Sequence, residues 1–285
     1  GLIGPGRGGT KTPMPRLFGH ELHVAEEGPE GGPPVLAIHS SGLSGRQWRR
    51  YTEVLGGAGF RVHQPDLIGY GRSEPWRGKS RFHYQADLMA LLELARDVQG
   101  GLTLLGHSYG GHLALLLAAA LPPERVRAVV AYEPVSWGVL DAGAAAPVPE
   151  LGALAAQGLF DEAIGGTEAW VGTFVDFWNG RGAWAQLGEG GRAAMMASAG
   201  KMFDEVRSLC FDYTPAAHYA GITAPALIFT GSRSPTAEQQ VCARLVEVMP
   251  AATLRRLEGA GHMGAVEQAD ALAVEVRDWL QATSR

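Results

Sequence analysis

Short apolar runs alternate with longer segments in which apolar residues recur at helical spacing along most of the chain. The short runs predict strands and the longer segments predict helices, since side chains repeat every 2 residues in strands and every 3.6 in helices. The predicted strands are 17–25, 34–39, 60–65, 102–107, 126–132, 225–231 and 252–257. The predicted helices are 46–57, 80–98, 109–121, 236–248 and 265–282. This alternation predicts an α/β fold with a mostly parallel central sheet flanked by helices on both faces. The early strands, within residues 16–28, are predicted to form an antiparallel edge hairpin.

The alternation stops between residues 136 and 220, where helix-like pieces follow one another without a convincing strand. This interval predicts a helical cap inserted into a core made of residues 17–135 and 221–285. Residues 1–16 are rich in glycine, proline and basic side chains, and we expect them to form a flexible N-terminal arm.

Composition narrows the possible partners. The 285 residues are 46% hydrophobic, with a formal net charge of −5 and a pI near 6.0, so no basic surface for nucleic acid or anionic lipid is expected. Two distant cysteines do not make a disulfide framework, and the first residues lack the apolar stretch of a secretory signal. We therefore expect a cytoplasmic protein with a small-molecule substrate and no nucleic-acid or membrane partner, while the oligomeric state stays open.

The most informative motif is Gly106-His107-Ser108-Tyr109-Gly110, at the junction of a predicted strand and a predicted helix. A G-x-S-x-G sequence in that position places its serine on a sharp, strained turn, since glycine lets neighbouring backbone come close. This motif predicts Ser108 as an exposed nucleophile.

A serine nucleophile requires a histidine base, which is expected on a loop after the last strand. His262 lies in such a loop, between the strand 252–257 and the final helix. The other histidines are interpreted as surface or packing residues. No His-Glu-x-x-His occurs, and Cys210 and Cys242 do not form a ligand cluster, so we predict neither a metal nor a cofactor.

With these motifs, the chain resembles the α/β-hydrolase family over nearly its whole length. Further matches are the run His39-Ser40-Ser41-Gly42, where the family usually has glycine in place of Ser40, and the turn that contains Asp66, Gly69, Gly71 and Ser73. The resemblance implies that the backbone N–H groups of Ser41 and Tyr109 form an oxyanion hole.

The third member of the triad departs from the family's common pattern. Most members carry an Asp after the strand here predicted at 225–231, but this chain has Ser234. A serine cannot stabilise an imidazolium as a carboxylate does. Glu133 follows the strand 126–132, and certain haloalkane dehalogenases look similar in placing the acid there. Glu133 is therefore the predicted acid. The alternative is that Glu133 only caps a loop and has no catalytic role, in which case Asp212 or Asp270 would be the acid.

Aromatic residues and methionines of the cap predict an apolar pocket. The predicted pocket residues are Trp137, Trp170, Phe174, Trp178 and Met263. Together these features predict an acyl-enzyme serine hydrolase for an ester, lactone or thioester bond of a largely apolar small molecule. The alternatives are carbon–carbon hydrolysis of a diketone-like substrate and a non-catalytic ligand-binding protein on the same fold. A haloalkane dehalogenase or epoxide hydrolase would need a carboxylate where Ser108 stands.

Overall fold

The computed structural model of the chain describes residues 14–140 and 149–283. Its nine strands in those ranges are β1 Arg16–Leu17, β2 His20–Glu21, β3 Val24–Glu27, β4 Pro34–Ile38, β5 Arg61–Pro65, β6 Leu102–His107, β7 Val126–Tyr132, β8 Ala226–Gly231 and β9 Ala252–Leu257. The helices are α1 Arg49–Gly57, α2 Gln85–Asp97, α3 Tyr109–Ala120, α4 Pro149–Ala156, α5 Glu168–Asn179, α6 Ala183–Gln186, α7 Glu189–Ala197, α8 Ala199–Cys210, α9 Ala216–Tyr219, α10 Thr236–Val248, α11 Gly264–Glu267 and α12 Ala269–Thr283. Short 3₁₀ helices cover Gly45–Trp48, Pro123–Arg125 and Trp137–Leu140.

Seven strands form one sheet in the order β3-β5-β4-β6-β7-β8-β9. All neighbours are parallel except the edge strand β3, which runs antiparallel to β5. The mostly parallel α/β fold predicted from the sequence is thus confirmed. The predicted strand 17–25 is divided, because Phe18 and Gly19 have φ angles of 45° and 75° and turn the backbone. The antiparallel hairpin is the separate pair of β1 and β2.

Helices cover both faces of the sheet, and β4 shows why. Leu36 and Ile38 pack into the core shared with α2 and α3, whereas Val35 and Ala37 pack into the core shared with α1 and α12. Alternate side chains of a strand point to opposite faces, so a continuous apolar strand is what a sheet buried on both sides requires.

Two predicted helices have different limits. The helix predicted at 80–98 begins at Gln85, since the preceding residues make tertiary contacts: Phe82 is buried and the N–H of Tyr84 donates to Ser208 Oγ at 3.0 Å. The helix predicted at 265–282 is two helices, α11 and α12.

Between β7 and β8, the described chain forms helices α4 to α9 and no strand. We call residues 136–220 the helical insertion; positions 141–148 lie outside the described residues. The predicted arm at 1–16 also lies outside them up to residue 13, whereas Arg16 already begins β1. No helix in the described ranges has the length and apolar character to cross a membrane.

The carboxyl ends of the parallel strands bring several loops to one edge of the sheet. Ser40 follows β4, Ser108 follows β6, Glu133 follows β7, and His262 follows β9. Residues far apart in sequence therefore meet beneath the helical insertion.

Candidate active site

Ser108 occupies a sharp turn between β6 and α3, with φ 56° and ψ −118°. Such a conformation is costly for a residue with a β-carbon, and it persists only where the surroundings enforce it. The flanking glycines are needed for packing: a β-carbon on Gly106 would lie 2.3 Å from the carbonyl oxygen of Gly110, and one on Gly110 would lie 2.1 Å from that of Ile38. The turn has the shape that G-x-S-x-G predicts.

Three predicted site residues form one series of hydrogen bonds. His262 Nε2 lies 2.9 Å from Ser108 Oγ, and His262 Nδ1 lies 2.7 Å from Glu133 Oε2. All three side chains are buried, so the prediction of an exposed Ser108 is wrong: Phe174 and Trp178 of the helical insertion line the cavities around it. The partners determine the proton positions, since a carboxylate only accepts. Nδ1–H therefore donates to Glu133, and Nε2 accepts from the Ser108 hydroxyl.

Glu133 is held in place on its other oxygen. Glu133 Oε1 accepts hydrogen bonds from the N–H of Gly231 at 2.7 Å and from Thr230 Oγ1 at 3.0 Å. Burial by itself would raise the pKa of Glu133, but the hydrogen bond and charge of His262 and the N–H of Gly231 keep that pKa below its ordinary value. The carboxylate thus stays ionised beside the imidazole.

The alternative acids lie elsewhere. Asp212 Oδ2 is 2.8 Å from Nε2 of the buried His112, and Asp270 is an exposed residue paired with Arg50 at 2.6 Å. Ser234 is buried in the loop after β8, at the position where the family's common pattern has its acid.

The predicted oxyanion residues flank the nucleophile. Ser41 lines both cavities that Ser108 lines. The N–H of Tyr109 belongs to the first turn of α3, where backbone N–H groups have no intrahelical acceptor and can bind an anion. The oxyanion role of both N–H groups stays a prediction.

Two cavities meet at Ser108. The larger, about 490 Å³, is also lined by Ser41, His262, Met263, Val266 and Leu187. The smaller, about 20 Å³, is almost wholly apolar and is not lined by His262. Besides Ser41 and Ser108, its walls include Val135, Trp137, Leu159, Val206, Leu209 and Cys210.

Four of the five predicted pocket residues line these cavities. Trp137 lines the smaller one, Met263 the larger, and Phe174 and Trp178 both. Trp170 lines neither, because it is fully buried behind Phe174, with the two rings stacked at 5.5 Å. Its indole N–H donates to the carbonyl oxygen of Leu159 at 2.9 Å.

His107 supports the histidine loop, a role that the sequence pattern did not predict. Its Nε2 lies 2.8 Å from the carbonyl oxygen of His262, and its Nδ1 lies 2.9 Å from Nε2 of Gln47, whose Oε1 accepts from the N–H of Ser40. Burial, followed by the charge of His262, lowers the pKa of His107 to about 3, so the ring is neutral. The sequence feature that could have indicated this role is the position of His107 inside the G-x-S-x-G motif, directly before the nucleophile.

Comparison with known proteins extends these observations. A family model described as the alpha/beta hydrolase family matches residues 35–276. The chain is 38% identical over 114 residues to "Lipase LipV" of Mycobacterium tuberculosis, which covers 40% of this chain and 42% of that protein. It is 28% identical over 266 residues to "Magnesium-chelatase 30 kDa subunit" of Rhodobacter capsulatus, covering 90% of each.

Other relatives carry different names. They include proteins named epoxide hydrolase and haloalkane dehalogenase, and a "2-hydroxy-6-oxononadienedioate/2-hydroxy-6-oxononatrienedioate hydrolase" of Cupriavidus pinatubonensis. The chain spans less than half the length of the lipase and of the first epoxide hydrolase that it matches.

Among solved structures, a thermophilic esterase from Thermogutta terrifontis superposes with a TM-score of 0.70 at 19% identity. The match covers 93% of this chain and 94% of the esterase. At this identity the similarity concerns the fold alone.

Proposed function

Since the chain belongs to the alpha/beta hydrolase family, we propose that it is a serine hydrolase that cleaves an ester, lactone or thioester bond of a largely apolar small molecule through an acyl-enzyme. One observation carries this proposal: the Glu133–His262–Ser108 series opens on a cavity. A buried histidine with one nitrogen fixed by a carboxylate and the other accepting from a serine is the arrangement that activates a hydroxyl nucleophile.

In the first step, His262 Nε2 takes the Ser108 hydroxyl proton while Ser108 Oγ forms a bond to the substrate carbonyl carbon. The π electron pair moves to the carbonyl oxygen, which the N–H groups of Ser41 and Tyr109 stabilise. The imidazolium is stabilised by Glu133.

The tetrahedral intermediate collapses when the bond to the leaving group breaks and His262 Nε2 returns the proton to that group. Water then attacks the acyl-enzyme with the same base, releasing the acid and restoring Ser108. No step requires a group outside this chain, the substrate and water.

The positions of the two cavities determine how the substrate is oriented on Ser108. The leaving group must be near His262 Nε2 to receive its proton, so it occupies the 490 Å³ cavity that His262 lines. The acyl group then lies in the small apolar cavity. That cavity has room for about one methyl-sized group, since a single water needs about 10–15 Å³ by a comparable measure.

Carbon–carbon hydrolysis is the second candidate, favoured by the Cupriavidus relative, which aligns with 91% of this chain at 27% identity. The name of that relative specifies a dioate. Among the described residues, the two cavities that Ser108 lines contain neither lysine nor arginine to bind such carboxylates. Arg233 lines a neighbouring cavity of about 510 Å³ together with His262, but Ser108 does not line that cavity. The absence of a cation from the described residues beside the nucleophile itself favours the ester-type reaction for the present chain.

The experiment that tests the proposal is labelling with a fluorophosphonate, which reacts with activated serine nucleophiles. We expect one phosphonyl adduct, located on Ser108 by peptide mass spectrometry and absent from Ser108→Ala. Ser136→Ala is the matched control, because Ser136 Oγ also contacts a histidine, lying 2.7 Å from His112 Nδ1, but is buried away from both cavities. Folded protein without an adduct on Ser108 would instead favour the non-catalytic alternative.

A further inference from the structure

The hydroxyl groups of the two predicted oxyanion residues each donate a hydrogen bond to a buried carboxylate. Tyr109 Oη donates to Asp87 Oδ2 at 2.7 Å, and Ser41 Oγ donates to Glu205 Oε1. Asp87 and Glu205 are fully buried, and they come from different parts of the molecule: α2 of the core and α8 of the helical insertion.

Lys201 joins the two carboxylates. Its Nζ lies 3.0 Å from Asp87 Oδ2 and is also paired with Glu205 Oε2, one turn further along α8. The result is an unbroken series Tyr109–Asp87–Lys201–Glu205–Ser41, which we call the buried ionic network. It links the residue after the nucleophile to the loop after β4.

Aromatic rings enclose this network. Lys201 Nζ lies 4.0 Å from the centroid of Tyr70 and 4.3 Å from that of Phe82, and Tyr70 Oη is 3.1 Å from both oxygens of Glu205. Rings at these distances stabilise the ammonium through cation–π attraction. Asp87 also accepts from the N–H of Ile68 at 2.9 Å, so each charge has several partners.

Removing three charged groups from water is costly, and well-packed apolar side chains would often serve stability as well or better. What such a network supplies is a defined geometry. Here its two ends are the residues whose backbone N–H groups are to receive the oxyanion, and two of its three charges belong to the helical insertion.

We propose that Lys201 and Glu205 are positioning residues, which hold the loop of Ser41 at a fixed distance from Tyr109 so that both N–H groups reach one oxyanion. The inference rests on the proposed function. It makes the oxyanion hole depend on the packing of α8 against the core, because only then do Lys201 and Glu205 reach Asp87 and Ser41.

The test uses Glu205→Gln, which keeps the shape of the side chain, and Lys201→Met. Each is compared with Arg207→Met, which also removes a charge from α8 and, within residues 14–140 and 149–283, breaks a partly exposed ion pair with Glu162. The measurements are kcat and KM for p-nitrophenyl acetate, and the inhibition constant of a phenyl-substituted trifluoromethyl ketone, which forms an oxyanion with the serine.

We expect kcat to fall about 10- to 100-fold in both network variants, below the roughly 100- to 1000-fold cost of losing a whole oxyanion donor. KM should change by less than about threefold, and the affinity for the ketone should fall in parallel with kcat/KM. Arg207→Met should behave as wild type.

Lys201→Met leaves two buried carboxylates unpaired, which destabilises the fold. If that variant cannot be purified, Ser41→Ala and Ser41→Thr replace it. Alanine removes only the hydroxyl that donates to Glu205 while retaining the backbone N–H, and threonine restores the hydroxyl. The Ala variant should lose affinity for the ketone and the Thr variant should recover it.

The inference is overturned if Glu205→Gln binds the ketone within twofold of wild type, or if substrate and ketone lose affinity equally. Either result would assign the network to stability. These outcomes are separate from failure of the proposed function, in which wild type itself would neither hydrolyse the ester nor take up a fluorophosphonate at Ser108.

Discussion

Trp178 of the helical insertion stacks on the imidazole of His262, with ring centroids 3.8 Å apart and an angle of 21° between the planes. The indole covers one face of the ring whose edge contacts Ser108 and Glu133. An aromatic face attracts a positive charge, so the stack favours the imidazolium that forms during the reaction.

Replacing Trp178 by leucine should therefore lower kcat by about 2- to 30-fold, corresponding to about 0.5–2 kcal/mol of cation–π stabilisation. Trp178→Phe should retain most of the rate. The rate of Ser108 phosphonylation measures the same effect without turnover. Trp184→Leu is the control, because Trp184 packs against Gly172 on α5 and does not stack on His262. Phosphonylation of Trp178→Leu at the wild-type rate would show that the stack has no such role.

Glu133→Gln should preserve the fold and strongly lower turnover. Gly231 N–H and Thr230 Oγ1 both donate to Oε1, so the amide oxygen will take that position and the NH₂ will face His262 Nδ1. The imidazole must then accept at Nδ1 and carry its proton on Nε2, where it cannot act as base. The corresponding Asp→Asn change in a serine protease lowers kcat about 10⁴-fold, and we take this as the upper limit of the loss in kcat expected for Glu133→Gln.

Ser234→Ala, which removes the smallest of the interactions that lower the pKa of Glu133, should reduce kcat far less than Glu133→Gln does. Ser234→Asp placed in the Glu133→Gln background should restore part of the activity, because the family's common pattern presents its acid to the imidazole from this loop. Steady-state kinetics on the four proteins tests the assignment. A Glu133→Gln enzyme nearly as active as wild type would remove Glu133 from the mechanism.

The His112–Asp212 pair should make stability depend on acid pH. Burial by itself would raise the pKa of Asp212, but the hydrogen bond and charge of His112, with Thr214, lower it from 3.8 to about 2. A lowered pKa gives stabilisation that is present above about pH 4 and is lost as the pH falls towards 2, here worth about 2 kcal/mol.

Urea unfolding at pH 5 and pH 2.5 measures this effect. The free energy of unfolding should fall more steeply with acid in wild type than in Asp212→Asn. Asp270→Asn should keep the wild-type slope, since that carboxylate is exposed. Equal slopes in wild type and Asp212→Asn would contradict the prediction.

The unequal cavities predict acyl selectivity. With p-nitrophenol as the common leaving group, acetate esters should be cleaved faster than butyrate or hexanoate esters, because the cavity assigned to the acyl group is about 20 Å³. Leu209→Ala should shift the optimum to longer acyl groups by enlarging that cavity, whereas Val266→Ala, in the other cavity, should not. A wild-type optimum at hexanoate would reverse the assignment of the two cavities.

Much of this site could be predicted from the sequence because its chemistry is local. The turn at Ser108 follows from glycines whose neighbours leave no room for a β-carbon. Because Ser234 is not a carboxylate, the acid must come from another strand end, and Glu133 follows the adjacent strand. Both features depend on a few residues at the end of a strand.

Features that depend on how the helices pack in three dimensions could not be predicted from the sequence. Trp170, Phe174 and Trp178 are spaced by four residues and share one face of α5, yet only the last reaches His262. Periodicity gives the face of a helix but not which end lies over the site. Lys201 and Glu205 resemble an ordinary solvent-exposed i, i+4 pair in sequence. Only the placement of α8 against Tyr70 reveals that Glu205 is fully buried and that the Lys201 side chain is only 10% exposed.

The central claim is that Ser108 forms an acyl-enzyme, and the most direct test is rapid mixing with p-nitrophenyl acetate, acid quenching and intact-mass measurement. We predict a transient species heavier by one acetyl group, formed together with a burst of p-nitrophenol, with the acetyl group located on Ser108. Ser108→Ala should show neither. Steady hydrolysis by wild type without an acetylated species or a burst, and continuing in Ser108→Ala, would contradict the account.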